Sequence, residues 1–155
     1  MDVNTKRFVH VGVTRSPTRT WVAQQLRHAT PFGQGPEFII RDRDSKFSTD
    51  FDRAARGAGT RVIKCPVRSQ LVNATCERFL GSVRRECLDH IIVLGTRHLD
   101  RTLREYVAYF NGSRPHQGLK QRVPLGSVTV EERATGTISA IPILGGLHHD
   151  YRRAA

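Results

Sequence analysis

Acidic residues are in short supply against basic ones in this chain of 155 residues: 14 Asp and Glu stand against 25 Lys and Arg, giving a net charge of +11. A pI near 10.7 excludes a surface built to attract cations or basic proteins and directs attention to a polyanion. Arg far outnumbers Lys, and the planar guanidinium forks onto phosphate, so nucleic acid leads among polyanions; the plainer alternative is a solvated basic surface. Cysteines are few and odd in number: Cys65, Cys76 and Cys87 form no C-x-x-C pair. That excludes a disulfide frame or a paired zinc site and is read as reduced packing residues in a cytosolic protein. No apolar run approaches the length of a membrane span and no signal-peptide core is present, so the expectation is a soluble, cytoplasmic protein with no membrane partner. Repeats and low-complexity tracts are lacking as well. Aromatics make up only 7% of residues, and no aromatic platform motif supports an RNA-binding module. What is there, 38% hydrophobic and 25% charged residues, suits one globular domain with a real core and excludes wholesale disorder.

Taken in order, residues 6–14 have the β-branched character of an early strand. Ser16-Pro17 offers a cap and a first-turn proline for a helix to about His28, with Trp21, Val22, Leu26 and Ala29 on its apolar face. Gly33, Gly35 and Pro36 break it and lead into an apolar run, Phe38-Ile39-Ile40-Arg41, that ends at Asp42. Thr49 with Asp52 opens a short helix with Phe51, Ala54 and Ala55 inward, stopped by Gly57 and Gly59; Thr60 to Cys65 is the next strand, ended by Pro66. Strand, helix, strand implies a parallel pair with a right-handed crossover, hence an α/β class. After a polar loop, a long helix runs from about Asn73 to about His90 with Phe79, Val83 and Cys87 as its buried stripe. Another starts at Thr96, with Leu99, Leu103, Val107 and Phe110 inward, and ends at Asn111-Gly112; beyond it lies a weak β run from Thr137 to Leu144.

Two carboxylates organise this order. Asp42 closes a strand that would deliver it to the sheet edge, and Glu77 sits near the start of the long helix, with 34 residues between them. Brought together, two carboxylates repel at neutral pH unless a cation lies between them, and hard divalent ions prefer carboxylate oxygen. Each has a plainer reading: Asp42 and Asp44 as turn formers, Glu77 as a surface acid paired with Arg78 or Arg84. Glu77 and Arg84 share one face of the helix, nearly two turns apart, and Arg78 with Arg85 forms a second such pair.

The run Asp42-Arg43-Asp44-Ser45-Lys46-Phe47-Ser48, followed by Pro66, Asn73, Glu77 and Arg84, resembles the catalytic core of insertion-sequence transposases and retroviral-type integrases. Tyr109-Phe110-Asn111-Gly112-Ser113-Arg114-Pro115-His116, then Leu119 and Pro124-Leu125, resembles the signature that closes the transposase core. The resemblance implies a ribonuclease-H-like, three-layer α/β domain with a mixed sheet flanked by helices. It also implies an Asp, Asp, Glu site in which two Mg²⁺ (or Mn²⁺) ions drive an in-line displacement at DNA phosphate. Asp42 matches the second acid, with Asp44 as competitor, and Glu77 the third; both are catalytic and metal-ligand candidates. Lys46, Asn73, Arg78, Arg84 and Arg85 are the DNA-contact candidates, Asn73 either capping its helix or orienting the site, and His116 is expected to make a structural bond to the helix end. The family's first Asp has no match, since Asp2 falls in the turn entering the strand at 6–14. The expectation is therefore a core over residues 1–125 that lacks its first strand, weak metal binding, and a basic C-terminal tail over 126–155. Two functions follow: a transposase or integrase core acting on DNA, or a remnant that binds DNA without catalysis. The implied partners are DNA and a second copy or a full-length transposase.

Overall fold

Thr18, two residues past the expected cap, opens the first helix: its Oγ1 accepts from the Trp21 N–H at 3.2 Å, and α1 runs Arg19–Ala29. The computed structural model describes residues 1–31, 34–66, 70–126 and 137–153, with the backbone alone for 70–73; Gly33, Asn73's side chain and the start of the C-terminal segment lie outside the described residues. The chain divides into two compact units, Gly12–Phe79 and Met1–Val11 with Leu80–Ala155.

In the first unit, β1 (Phe38–Arg41), α2 (Thr49–Gly57) and β2 (Arg61–Lys64) form the expected strand, helix, strand passage, and β1 pairs parallel to β2 with Phe38 opposite Arg61 and Arg41 opposite Lys64. Alternation puts Ile39 and Val62 on the covered face, where they pack with Val22, Phe47 and Ala54 around buried Leu26, Phe51 and Ala55. Burying a side chain such as Phe51 contributes about 2 to 3 kcal/mol. Gly59, at φ +72°, turns the chain out of α2 into β2.

Helix α3 (Gln70–Glu86) begins three residues earlier than its sequence pattern indicates and ends before a 3₁₀ turn at Leu88–His90, so the expected stop at His90 holds for that turn but not for the helix. Phe79, Val83 and Cys87 are buried as expected. Helix α4 (Thr96–Gly112) is capped by Gly95, not Thr96, and its buried residues are Thr102, Tyr106, Phe110 and Asn111. Of the expected stripe only Phe110 is buried; Leu99, Leu103 and Val107 are half-buried. The face is rotated because Tyr106, fully buried, combines an aromatic body with a hydroxyl that finds a partner in Glu86.

Residues 6–14 form no strand. The Phe8 backbone is instead held by one side chain: Asn111 Oδ1 accepts from the Phe8 N–H and Asn111 Nδ2 donates to the Phe8 carbonyl, both at 2.8 Å. An extended segment whose polar groups are satisfied by an amide at a helix end needs no neighbouring strand. Nor is there one mixed sheet among the described residues: beside the parallel pair there is a separate antiparallel hairpin, β3 (Ile138–Ile143) and β4 (His148–Arg153). It follows the expected weak β run. Its connection places Leu144, Gly145 and Gly146 at positive φ, and the Leu144 N–H is accepted by Glu105 Oε1 at 2.6 Å.

Candidate functional site

Asp42 leaves the end of β1 into a tight polar turn. Its Oδ1 accepts from the Asp44 N–H at 3.0 Å, and Asp44 Oδ1 accepts from the Lys46 N–H at 2.8 Å. Both acids are exposed, and both spend an oxygen on the turn. The Lys46 N–H bond, with the Lys46 ammonium at 3.3 Å behind it, holds Asp44 below the usual carboxylate range. What fixes this turn is a residue that sequence reasoning passed over. Arg41 is 7% exposed; its Nη2 and Nε fork onto Asp52 at 3.1 to 3.3 Å, its Nη1 donates to the Asp42 carbonyl at 3.0 Å, and its guanidinium lies over the Phe47 and Phe51 rings. Arg43 adds a bond from Nε to the Cys65 carbonyl at 3.0 Å, joining the turn to the end of β2. Asp42 therefore stands where two strands and α2 are tied together.

Glu77 lies on α3 in the same unit, exposed, as does Arg78, whose Nη2 donates to Thr75 Oγ1 at 3.4 Å. Among the described residues no hydrogen bond or ion pair joins Asp42 to Glu77, and no three His, Cys, Asp or Glu side chains converge as a metal cluster. The side-chain chemistry is of the kind a hard divalent cation prefers: Asp42 and Glu77 are exposed carboxylates, and Mg²⁺ commonly completes its shell with water. Further along α3, Arg84 and Arg85 are exposed, and Arg84 Nε lies 3.4 Å from Asp89 Oδ1. That pair is open to solvent, so exchanging Asp89 for a phosphate costs little.

The Arg114-Pro115-His116 segment has a structural role that the sequence had only flagged as a motif. Arg114 Nε and Nη2 each donate to Glu86 at 2.7 Å, a planar fork at the end of α3, and the Tyr106 hydroxyl donates to Glu86 Oε2 at 2.9 Å. Burial works to raise Glu86, but the bonds from Arg114 and Tyr106 outweigh it, so its carboxyl is held below the ordinary range. Burial, then the bond to Glu86, pushes the Tyr106 hydroxyl far up, so it stays a donor. His116 donates from Nε2 to the Phe110 carbonyl at 3.1 Å, the expected structural bond, and burial lowers its pKa. His148 donates from Nε2 to the Glu86 carbonyl at 2.7 Å and stacks on Tyr109 at 4.6 Å between ring centres. No local pattern announces Glu86; its partners lie 20 to 62 residues away.

Residues 59–124 match the family model described as integrase core domain, a span that contains Glu77, the arginines of α3, and Glu86 with its partners Tyr106 and Arg114. A chain of the cryo-electron-microscopy structure of the simian T-cell lymphotropic virus intasome in complex with PP2A regulatory subunit B56 gamma has a TM-score of 0.59 to this one at 13% identity. The likeness covers 91% of this chain and 54% of that one, so the present chain spans about half the length of the solved chain it matches. At that identity the likeness is one of fold. A search of curated protein sequences returns no match. No helix among the described residues is long and apolar enough to cross a membrane.

Proposed function

We propose that the chain acts on DNA as the core of an insertion-sequence transposase or integrase, a reading supported by the match of residues 59–124 to the integrase core domain model and by the fold likeness to a chain of a viral intasome structure. The observation that carries this reading is the integrase-core match over 59–124, which includes Glu77 and the segment that anchors Arg114. The ribonuclease-H-like arrangement, with residues 1–125 as core and 126–155 as a basic extension, is part of the proposal; the parallel β1–α2–β2 passage supports it. So is the chemistry, phosphoryl transfer on DNA during integration, transposition and recombination.

In this reading Asp42 and Glu77 would hold the divalent ion, Mg²⁺ or Mn²⁺. When bound, the ion supplies charge stabilisation at the phosphate oxygens and lowers the proton affinity of bound water. Arg41 keeps the Asp42 turn in place through its fork on Asp52 and its bond to the Asp42 carbonyl. Arg84, Arg85 and Arg78 on α3, with Lys46 beside the turn, bind the DNA backbone, and Asn73 orients or caps the start of α3. DNA is the nucleic-acid partner and a second copy or a longer transposase the protein partner.

A second reading, DNA binding without catalysis, is favoured by one observation: Asp42 and Asp44 each commit an oxygen to the turn. Both readings require duplex DNA binding that weakens steeply with salt, since arginine-phosphate neutralisation supplies the affinity. Replacing Arg84 and Arg85 together by Ala should lower the salt slope by about two. An unchanged slope would remove α3 from the DNA surface. Strand transfer on donor-end DNA with Mg²⁺ separates the two readings: joining lost on Glu77→Ala supports the first, and binding with no joining supports the second.

A further inference from the structure

The antiparallel register of the hairpin sorts its residues onto two faces. Ser139 with Arg152, Ile141 with Asp150 and Ile143 with His148 share one face, docked at its closed end, where His148 is bonded to the Glu86 carbonyl and stacked on Tyr109; within the hairpin Asp150 accepts from Arg152 at 2.6 Å. Ile138 with Arg153, Ala140 with Tyr151 and Pro142 with His149 share the other. On that outward face Tyr151 is 69% exposed and Ile138 60%, and the His149 ring lies 6.1 Å from the Tyr151 ring at a tilt of 36°. Ala140 stands directly opposite Tyr151, too small to cover the ring.

We propose that this outward face is a stacking platform for unpaired bases of single-stranded DNA, such as those at a processed or frayed DNA end. An exposed aromatic ring beside a second ring, with Arg153 on the same face, combines the two elements that hold single strands: a π-face for a base and positive charge for its phosphates. Charge selects the occupant. A chain carrying +11 attracts a polyanion. Duplex DNA offers the cations its phosphates but keeps its base faces stacked on one another, so only unpaired nucleotides use the ring. The two anchors on the docked face, together with the Leu144 bond to Glu105, fix the platform to α4 and reduce the ordering cost of binding. The proposal rests on the reading that this chain acts on DNA and adds which part of the DNA is gripped here.

The test uses the full chain with fluorescently labelled DNA: a blunt duplex, the same duplex with an unpaired overhang, and the corresponding single strand. Tyr151→Ala should weaken overhang and single-strand binding about five- to hundredfold and leave blunt-duplex affinity within about twofold. Tyr151→Trp should restore binding, with indole emission quenched by the single strand and not by the blunt duplex. Wild-type overhang affinity in Tyr151→Ala, or an equal loss on blunt duplex, overturns the platform while leaving the DNA reading standing. Absence of binding to every DNA by the wild-type chain overturns both. Preference for RNA of the same sequence, or a Tyr151-dependent dimer in sedimentation without nucleic acid, replaces the proposed occupant.

Discussion

Replacing Glu86 by Gln removes the one negative charge on which three donors converge. In the native arrangement Oε1 accepts from Arg114 Nη2, and Oε2 accepts from Arg114 Nε and from the Tyr106 hydroxyl. A glutamine can keep its oxygen in the Oε2 position, retaining two acceptances, but its amide then presents N–H groups to Arg114 Nη2. One charge-assisted bond is lost and the arginine is left undercompensated. A bond to a charged group is worth about 1.5 to 3 kcal/mol, and breaking a fully buried pair costs about 3 to 5. Here the side chains of Arg114 and Glu86 are 25% and 27% exposed, so water recovers part of the loss. The expected cost is about 2 kcal/mol for Glu86→Gln at neutral pH, read from urea unfolding followed by circular dichroism. Acid supplies the control. Because Glu86's folded pKa is depressed, its contribution is full above the ordinary glutamate value near 4.3 and fades as pH falls through the folded pKa. Wild type and Glu86→Gln should therefore converge in stability on acidification, since a protonated glutamate resembles the amide. A difference under about 0.5 kcal/mol at pH 7, or one that persists unchanged in acid, would refute the reasoning. A double-mutant cycle with Arg114→Met should assign most of the effect to the pair.

Asn111→Ala leaves the Phe8 N–H and carbonyl without their 2.8 Å partners and should cost about 2 kcal/mol, with the Phe8 amide becoming the most accelerated in hydrogen exchange; unchanged Phe8 protection would refute it. Arg41→Met strands the Asp52 carboxylate with only Lys64 at 4.0 Å and should destabilise by about 2 to 4 kcal/mol, and Arg41→Lys, unable to fork, should recover less than half; a stable Met variant would show the clamp to be dispensable. Asp42→Ala with Glu77→Ala should abolish Mn²⁺-induced relaxation of NMR signals around the β1 turn and the start of α3, and tight binding that survives both changes would sink that metal-site assignment.

The parallel β1–β2 pair was legible because its apolar runs are short, β-branched and bounded by Gly and Pro, signals that depend on neighbours in the chain alone. The stripe of α3 was legible for the same reason. What escaped reading depends on partners remote in sequence. Residues 6–14 look like a strand by composition, yet a side chain 103 residues away supplies the pairing. The inward face of α4 turned on Tyr106 because a carboxylate waits for its hydroxyl at Glu86, which no helical periodicity reports. At the candidate site, composition and spacing singled out Asp42 and Glu77, but not Arg41, because an arginine inside an apolar run reads as a strand end until Asp52 is seen across from it.

The Asn111 amide also constrains the order in which the chain can fold. Its contact with Phe8 spans 103 residues, and closing a loop of that length from the unfolded chain costs about 4 kcal/mol in entropy, whereas two such bonds return about 2. The contact cannot nucleate folding. It forms after α4 and the backbone bond from the Leu125 N–H to the Asn111 carbonyl have shaped the far side of the junction, when the effective loop is shorter. The segment around Phe8, made early during synthesis, is thus among the last to be secured, and its docking should appear as a late kinetic event that Asn111→Ala removes without slowing the formation of the helices.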